Sequence, residues 1–169
     1  MSRELYVHFL PELVERESLR GGAAVVIDVL RASTTIIQAL AGGAESVLPV
    51  GDVDAARRAA ANLRPGKALL GGERAGVLIE GFDLDNSPAS YSPEVVAGKT
   101  IVFTTTNGTR ALLRCSEAAR IFVGAFTNRG AVAERLAAVA RPVHLVCAGT
   151  DGHVSSDDLL CAGAIAWGI

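Results

Sequence analysis

The chain has 169 residues, half of them hydrophobic but only 5% aromatic, which suits one domain with a core of Val, Ile, Leu and Ala. Its 16 basic and 18 acidic residues leave a formal charge of −2 with no run of like charges, so neither a nucleic acid nor an anionic membrane is indicated as partner. No apolar stretch approaches the ~20 residues of a membrane span. The N-terminal MSRELYVHFLPELVERE carries acids and lacks the continuous apolar region of a signal peptide, so a cytoplasmic protein is expected. Cys115, Cys147 and Cys161 form no C-x-x-C pair and read as reduced core thiols.

In chain order, Leu5 to Leu10 reads as a first strand and Pro11 to Arg20 as a polar connection closed by Gly21-Gly22. Ala23 to Leu30, AAVVIDVL, is a nearly continuous apolar run of the kind a covered parallel strand shows, with Asp28 its one charge. Arg31-Ala32-Ser33-Thr34-Thr35 follows as a hydroxyl-rich turn, then Ile36, Ile37 and Leu40 at helical spacing before Gly42-Gly43. Ser46 to Val50 predicts a strand, Asp52 the cap of a helix over Val53 to Leu63, and Lys67 to Leu70 another strand. Gly71-Gly72-Glu73-Arg74-Ala75-Gly76 puts a Glu–Arg pair where that strand should end. The segment up to Val96 has no clear period and reads as a long covering loop.

Ile101 to Phe103 breaks directly into Thr104-Thr105-Thr106-Asn107-Gly108-Thr109-Arg110 and a helical pattern. Such a turn gathers hydroxyls, an amide, an arginine and a glycine that allows close backbone approach beside the free N–H groups of a new helix, a suitable seat for an anion. Ala119 to Gly124 is a strand, Thr127 a candidate cap for a helix bearing Val132, Leu136 and Val139, and Val143 to Cys147 the last strand. A third polar turn, Ala148 to Asp158, leads into an apolar helix, Leu159 to Ile169, without a stop signal, so C-terminal truncation and homo-oligomerisation are both expected.

Alternating strands and helices predict a three-layer α/β/α domain with a largely parallel, possibly mixed, central sheet. Ligands bind such sheets beyond the carboxyl ends of the strands, so the polar turns and Gly72-Glu73-Arg74 should share one crevice. No P-loop or G-x-G-x-x-G template is present. His8 and His144 sit in strands and read as structural, and His153 lies in a candidate site turn with a minor role at most.

Five stretches, VIDVLRASTTI (26–36), GGERAG (71–76), GFDLDNSP (81–88), TTTNGTRAL (104–112) and CAGTDGHVSSDDLLCAGAI (147–165), resemble in order the 2-phosphosulfolactate phosphatase family. The resemblance implies a Mg2+-dependent phosphatase acting on a small anionic phosphorylated substrate, (R)-2-phospho-3-sulfolactate, in coenzyme M synthesis. On this reading Arg31 and Arg110 grip substrate oxygens alongside the carboxylates Asp28 and Glu73, completing the catalytic set. Ser33, Thr34, Arg74, Thr105, Thr106, Asn107, Gly108, Thr109 and Gly152 bind substrate. Asp28, Glu73, Asp151, Asp157 and Asp158 are the candidate metal ligands, because magnesium takes oxygen donors. Asp28 is the strongest single candidate, since a lone carboxylate ending an apolar strand is costly unless compensated; it could hold the metal or serve as base. Other readings stay open: the hydroxyls as helix caps, Ser155 and Asp158 as a capping box, and Glu73–Arg74 as a surface ion pair. For the whole chain, a non-catalytic anion- or metabolite-binding domain and a different phosphoryl-transfer enzyme also remain.

Overall fold

The computed structural model describes residues 4–169; residues 1–3, where the N-terminal reading above begins, lie outside the described residues. Its strands are β1 (Leu5–His8), β2 (Ala23–Ile27), β3 (Ser46–Pro49), β4 (Ala68–Arg74), β5 (Val77–Leu78), β6 (Thr100–Thr104), β7 (Arg120–Gly124) and β8 (Val143–Cys147). The helices are α1 (Ala32–Ala41), α2 (Val53–Ala61), α3 (Pro93–Val96), α4 (Gly108–Arg114), α5 (Arg129–Ala137) and α6 (Ser156–Trp167). The strands form two four-stranded sheets, β1-β8-β2-β7 and β3-β6-β4-β5, in which all pairs are parallel except the β4–β5 hairpin.

Burial explains the order. All residues of β2 (AAVVI) and β8 (VHLVC) are buried, so these strands take the centre of the first sheet, while the more exposed β1 and β7 flank them. The pleat sends Val25 and Ile27 to one face, against Val132 and Leu136 of α5 and Cys161 and Ile165 of α6. Val26 and Ala24 go to the other, against Ala111 of α4 and Cys115 just after it, with Val14 and Leu19. In the second sheet Ile101 and Phe103 of β6 meet Ile36 and Ala39 of α1, and Val102 on the opposite face meets Ala56 of α2 with Phe82. Each such fully buried aliphatic side chain contributes about 1.5–3 kcal/mol. Leu112 of α4 packs against both the β2–α4 cluster and the α1–β6 cluster, tying the sheets together. The α/β class is as the alternation of elements implies, with helices on both sides, but the parallel strands are divided between two sheets.

Several local expectations are corrected. The second strand stops at Ile27, so Asp28 stands just beyond it, and α1 begins at Ala32, which puts Ser33 and Thr34 inside the first helical turn. Glu73 and Arg74 belong to β4, which continues through the glycines and turns into β5 at Ala75 and Gly76, both in left-handed conformation (φ 51° and 76°), as a two-residue hairpin turn requires. Gly72 permits this continuation: at φ 142° it passes so close to β6 that a Cβ would lie 1.9 Å from the Thr104 carbonyl oxygen. The covering loop contains β5, a short 3-10 turn at Pro88–Ser90 and α3. Asp52 caps α2 as expected, accepting from the Ala55 N–H at 2.7 Å. Asn128, rather than Thr127, precedes α5 and ties the preceding turn by accepting from Ala125 N–H and donating to the Val123 carbonyl. All three cysteines are free and buried, which pushes their thiols up to about 11 to 12.

Candidate active site

Where the carboxyl ends of β2, β4, β6 and β8 converge, a cavity of about 160 Å³ opens. Asp28, Leu30 and Arg31 line it from the β2–α1 turn, Glu73, Ala75 and Gly76 from the hairpin, and Thr106 and Asn107 from the β6–α4 turn. Thr150 and Asp151 enter after β8, and Asn86 from the segment following β5. Larger hollows of about 520 and 340 Å³ lie elsewhere, the first beside Glu12, Arg16 and Arg110 and the second at the amino ends of β2 and β7. Neither is lined by a buried carboxylate, and chemistry rather than size identifies the site.

Asp28 is 7% exposed. Its Oδ1 accepts from the Ala32 N–H at 3.1 Å, its own N–H donates to Ser33 Oγ at 3.0 Å, and among the described residues its Oδ2 takes no hydrogen bond. Burial, then the Asp158 charge, raise its pKa to about 7; the Ala32 N–H opposes this, and Asp157 and Glu73 add to it. Gly108 lies against this carboxylate: a Cβ there would stand 2.6 Å from Oδ2 and 2.5 Å from the Ala32 methyl, so the Asn-Gly start of α4 is a matter of space.

Glu73 is equally buried but fully engaged. Oε1 accepts from the Thr106 N–H at 2.7 Å, and Oε2 from the Gly76 N–H at 2.7 Å and Thr106 Oγ1 at 3.2 Å. It therefore fastens the hairpin to the β6–α4 turn. Asp158 plays the corresponding part in the first sheet, its Oδ1 accepting from Val29 N–H at 2.8 Å and Oδ2 from Gly149 N–H at 3.0 Å. Those bonds, and not a capping box, account for it: Ser155 makes no side-chain cap, and its hydroxyl pairs with Thr150 at 2.8 Å. Burial raises the Asp158 pKa, opposed by these N–H donors.

Of the residues singled out in the sequence, Asp28, Arg31, Glu73, Thr106, Asn107 and Asp151 come together around the cavity. Asn107 Oδ1 also accepts from the Asp151 N–H at 3.2 Å, joining two of its walls. The other hydroxyls face inward: Thr34 donates to the Val29 carbonyl at 2.6 Å, Ser33 to the Val26 carbonyl at 3.3 Å. Thr105 and Thr109 bond each other's backbone N–H groups at 3.1 and 3.2 Å. Asp157 raises the Asp28 pKa but does not line the cavity, and Gly152 is exposed outside it. Arg74 is turned onto the Glu73 carbonyl and Thr104 Oγ1, at 2.7 and 2.9 Å. Arg110 is not brought to the cavity; it pairs with Glu12 at 3.2 Å beside the 520 Å³ hollow. His153 is exposed, and His8 and His144 bond each other at 3.0 Å. Sequence reasoning passed over Asn86, although it lies within GFDLDNSP.

The fold and the cavity define an α/β protein with a carboxylate-bearing pocket at its strand carboxyl ends. The chain belongs to the 2-phosphosulpholactate phosphatase family, which it matches over residues 8–169. It is 47% identical over 157 residues to a probable 2-phosphosulfolactate phosphatase of Caldicellulosiruptor saccharolyticus, a match covering 89% of this chain and 63% of the relative. Proteins of the same description from Symbiobacterium thermophilum (48% over 149 residues, 88% and 64%) and Clostridium perfringens (45% over 156 residues, 91% and 63%) are similar to it. The chain thus spans just under two thirds of the length of these relatives. Among the described residues no helix is long and apolar enough to cross a membrane.

Proposed function

We propose that this chain carries the site of a magnesium-dependent phosphatase that hydrolyses 2-phosphosulfolactate, or a similar small 2-phospho-carboxylate, to inorganic phosphate and the 2-hydroxy acid. One observation carries the reading: a buried carboxyl group, Asp28, poised near neutrality in a cavity of about 160 Å³ in a member of this family. In the hydrolysis a water oxygen bonds to phosphorus, the ester P–O bond breaks, and the proton lost by water ends on the departing oxygen. Asp28 in its ionised form orients that water and takes its proton. Arg31, the one cation among the described lining residues, holds the phosphoryl oxygens.

Among the described residues no group of three or more His, Cys, Asp and Glu side chains is arranged to hold a metal. Magnesium needs less, commonly one or two carboxylates completed by waters and phosphate oxygens. Two lining carboxylates meet that requirement, Asp151 and Asp28, the latter through Oδ2, which would then hold the ion in place of acting as base. Glu73 and Asp158 are already committed to N–H donors. Bound there, the ion supplies positive charge against the phosphoryl oxygens. The test is phosphate release from phosphosulfolactate, phospholactate and phosphoglycolate with magnesium and with EDTA. Release from the first, dependent on magnesium, is expected; none from any of the three would refute the reading.

A further inference from the structure

The cavity's donors are mostly in use. Thr106 Oγ1 serves Glu73, Thr150 Oγ1 pairs with Ser155, and Glu73, Asp28 and Asp151 are acceptors. An oxyanion entering this space therefore meets few uncommitted side-chain donors. Asn86 is one, and its environment is unusual. The residue is 5% exposed, its amide oxygen is buried with no hydrogen-bond partner, and its side chain makes no other bond to the described residues. The amide NH2 likewise donates to none of the described residues, and it is this end of the side chain, not the acceptor oxygen, that can meet the oxygens of an anion.

Its backbone, by contrast, is tightly held. The Asn86 carbonyl accepts from Thr35 Oγ1 at 3.2 Å, and the adjacent Asp85 accepts from Tyr91 Oη at 2.7 Å, from Ser90 Oγ at 2.8 Å and from the Ser87 N–H at 3.1 Å. Tyr91 is itself fully buried, stacked edge-on against Phe103. A rigid segment thus holds at the cavity wall an amide that the protein itself leaves unsatisfied.

We infer that Asn86 is a substrate-positioning residue whose side-chain amide donates to an oxygen of the bound phosphoryl group, an assignment that rests on the phosphatase reading for its substrate. Substrate binding then has a neutral donor beside the Arg31 cation, contributed by a segment outside the turns that open α1, α4 and α6. The decisive variant is Asn86→Leu, similar in shape and without polar atoms. Removing an unpaired buried oxygen leaves thermal stability unchanged or raised, while the dissociation constant for inorganic phosphate, measured calorimetrically on the 169-residue chain, rises at least tenfold. Asn86→Ala should weaken phosphate to a similar degree, with KM rising more than kcat falls. An unchanged phosphate affinity in both variants, a marked loss of stability in Asn86→Leu, or no phosphate binding by the wild type overturns the assignment. Asn86-dependent phosphate binding without release from any ester would uphold it and remove only the phosphatase reading.

Discussion

The two carboxylates that end neighbouring sheets face the same cavity with the same 7% exposure and opposite hydrogen bonding. Glu73, at the end of β4, has both oxygens taken by Thr106 and Gly76, whereas Asp28, just beyond β2, receives one N–H and has acids for neighbours. A saturated carboxylate is a clamp; an unsaturated one, held near its titration point by burial, is available to a proton, a water or a cation. On the proposed function, the contrast gives the second sheet's carboxylate a structural part and leaves the chemistry to the first's.

Replacing Asp28 by Asn should have the largest effect: phosphate release falls about 10²–10⁴-fold, the usual contribution of a positioned acid–base group, while the protein stays folded. The same variant sharpens the electrostatic half of the comparison. In the fold Asp28 holds its proton up to about pH 7, against 3.8 for an ordinary Asp, so its contribution to stability is fully present below 3.8 and lost as pH rises through about 7. Denaturant titration in EDTA should show the wild type losing on the order of 4 kcal/mol across that window relative to Asp28→Asn; parallel pH profiles would contradict the assigned burial.

Asp158→Ala strands the Val29 and Gly149 N–H groups and should cost about 2–5 kcal/mol in chemical denaturation. Gly108→Ala forces a methyl against Asp28 Oδ2, at about 1–3 kcal/mol of strain, and activity should drop more than stability as the carboxylate is displaced. Glu73→Gln, which puts an NH2 against N–H donors, should cost a similar 1–3 kcal/mol while retaining measurable turnover; a loss as deep as that of Asp28→Asn would erase the distinction between clamp and catalyst. Thr109→Val, removing a reciprocal hydroxyl bond at the start of α4, should cost about 1 kcal/mol by thermal unfolding and leave KM nearly unchanged.

Much of this was legible along the chain. Local chemistry determines that AAVVI is a covered strand, that Asp52 starts α2, that the cysteines are core thiols, and that turns rich in Asp, Thr, Asn and Arg follow strands, because each depends on residues a few positions apart. Topology then brings those turns to one end of the molecule. Partner choice belongs to the tertiary structure alone. Thr105 and Thr109 have the composition of anion ligands but bond each other, Arg110 opens the same helix yet pairs with Glu12 at 3.2 Å, and Asp158 has capping-box spacing but reaches two distant N–H groups. The division of the strands between two sheets and the arrival of Asn86 at the cavity depend likewise on long-range packing, through Leu112 and through the Tyr91–Phe103 contact. A residue's type sets what bonds it can make; only the fold decides which are already made, and therefore which groups remain free for a substrate.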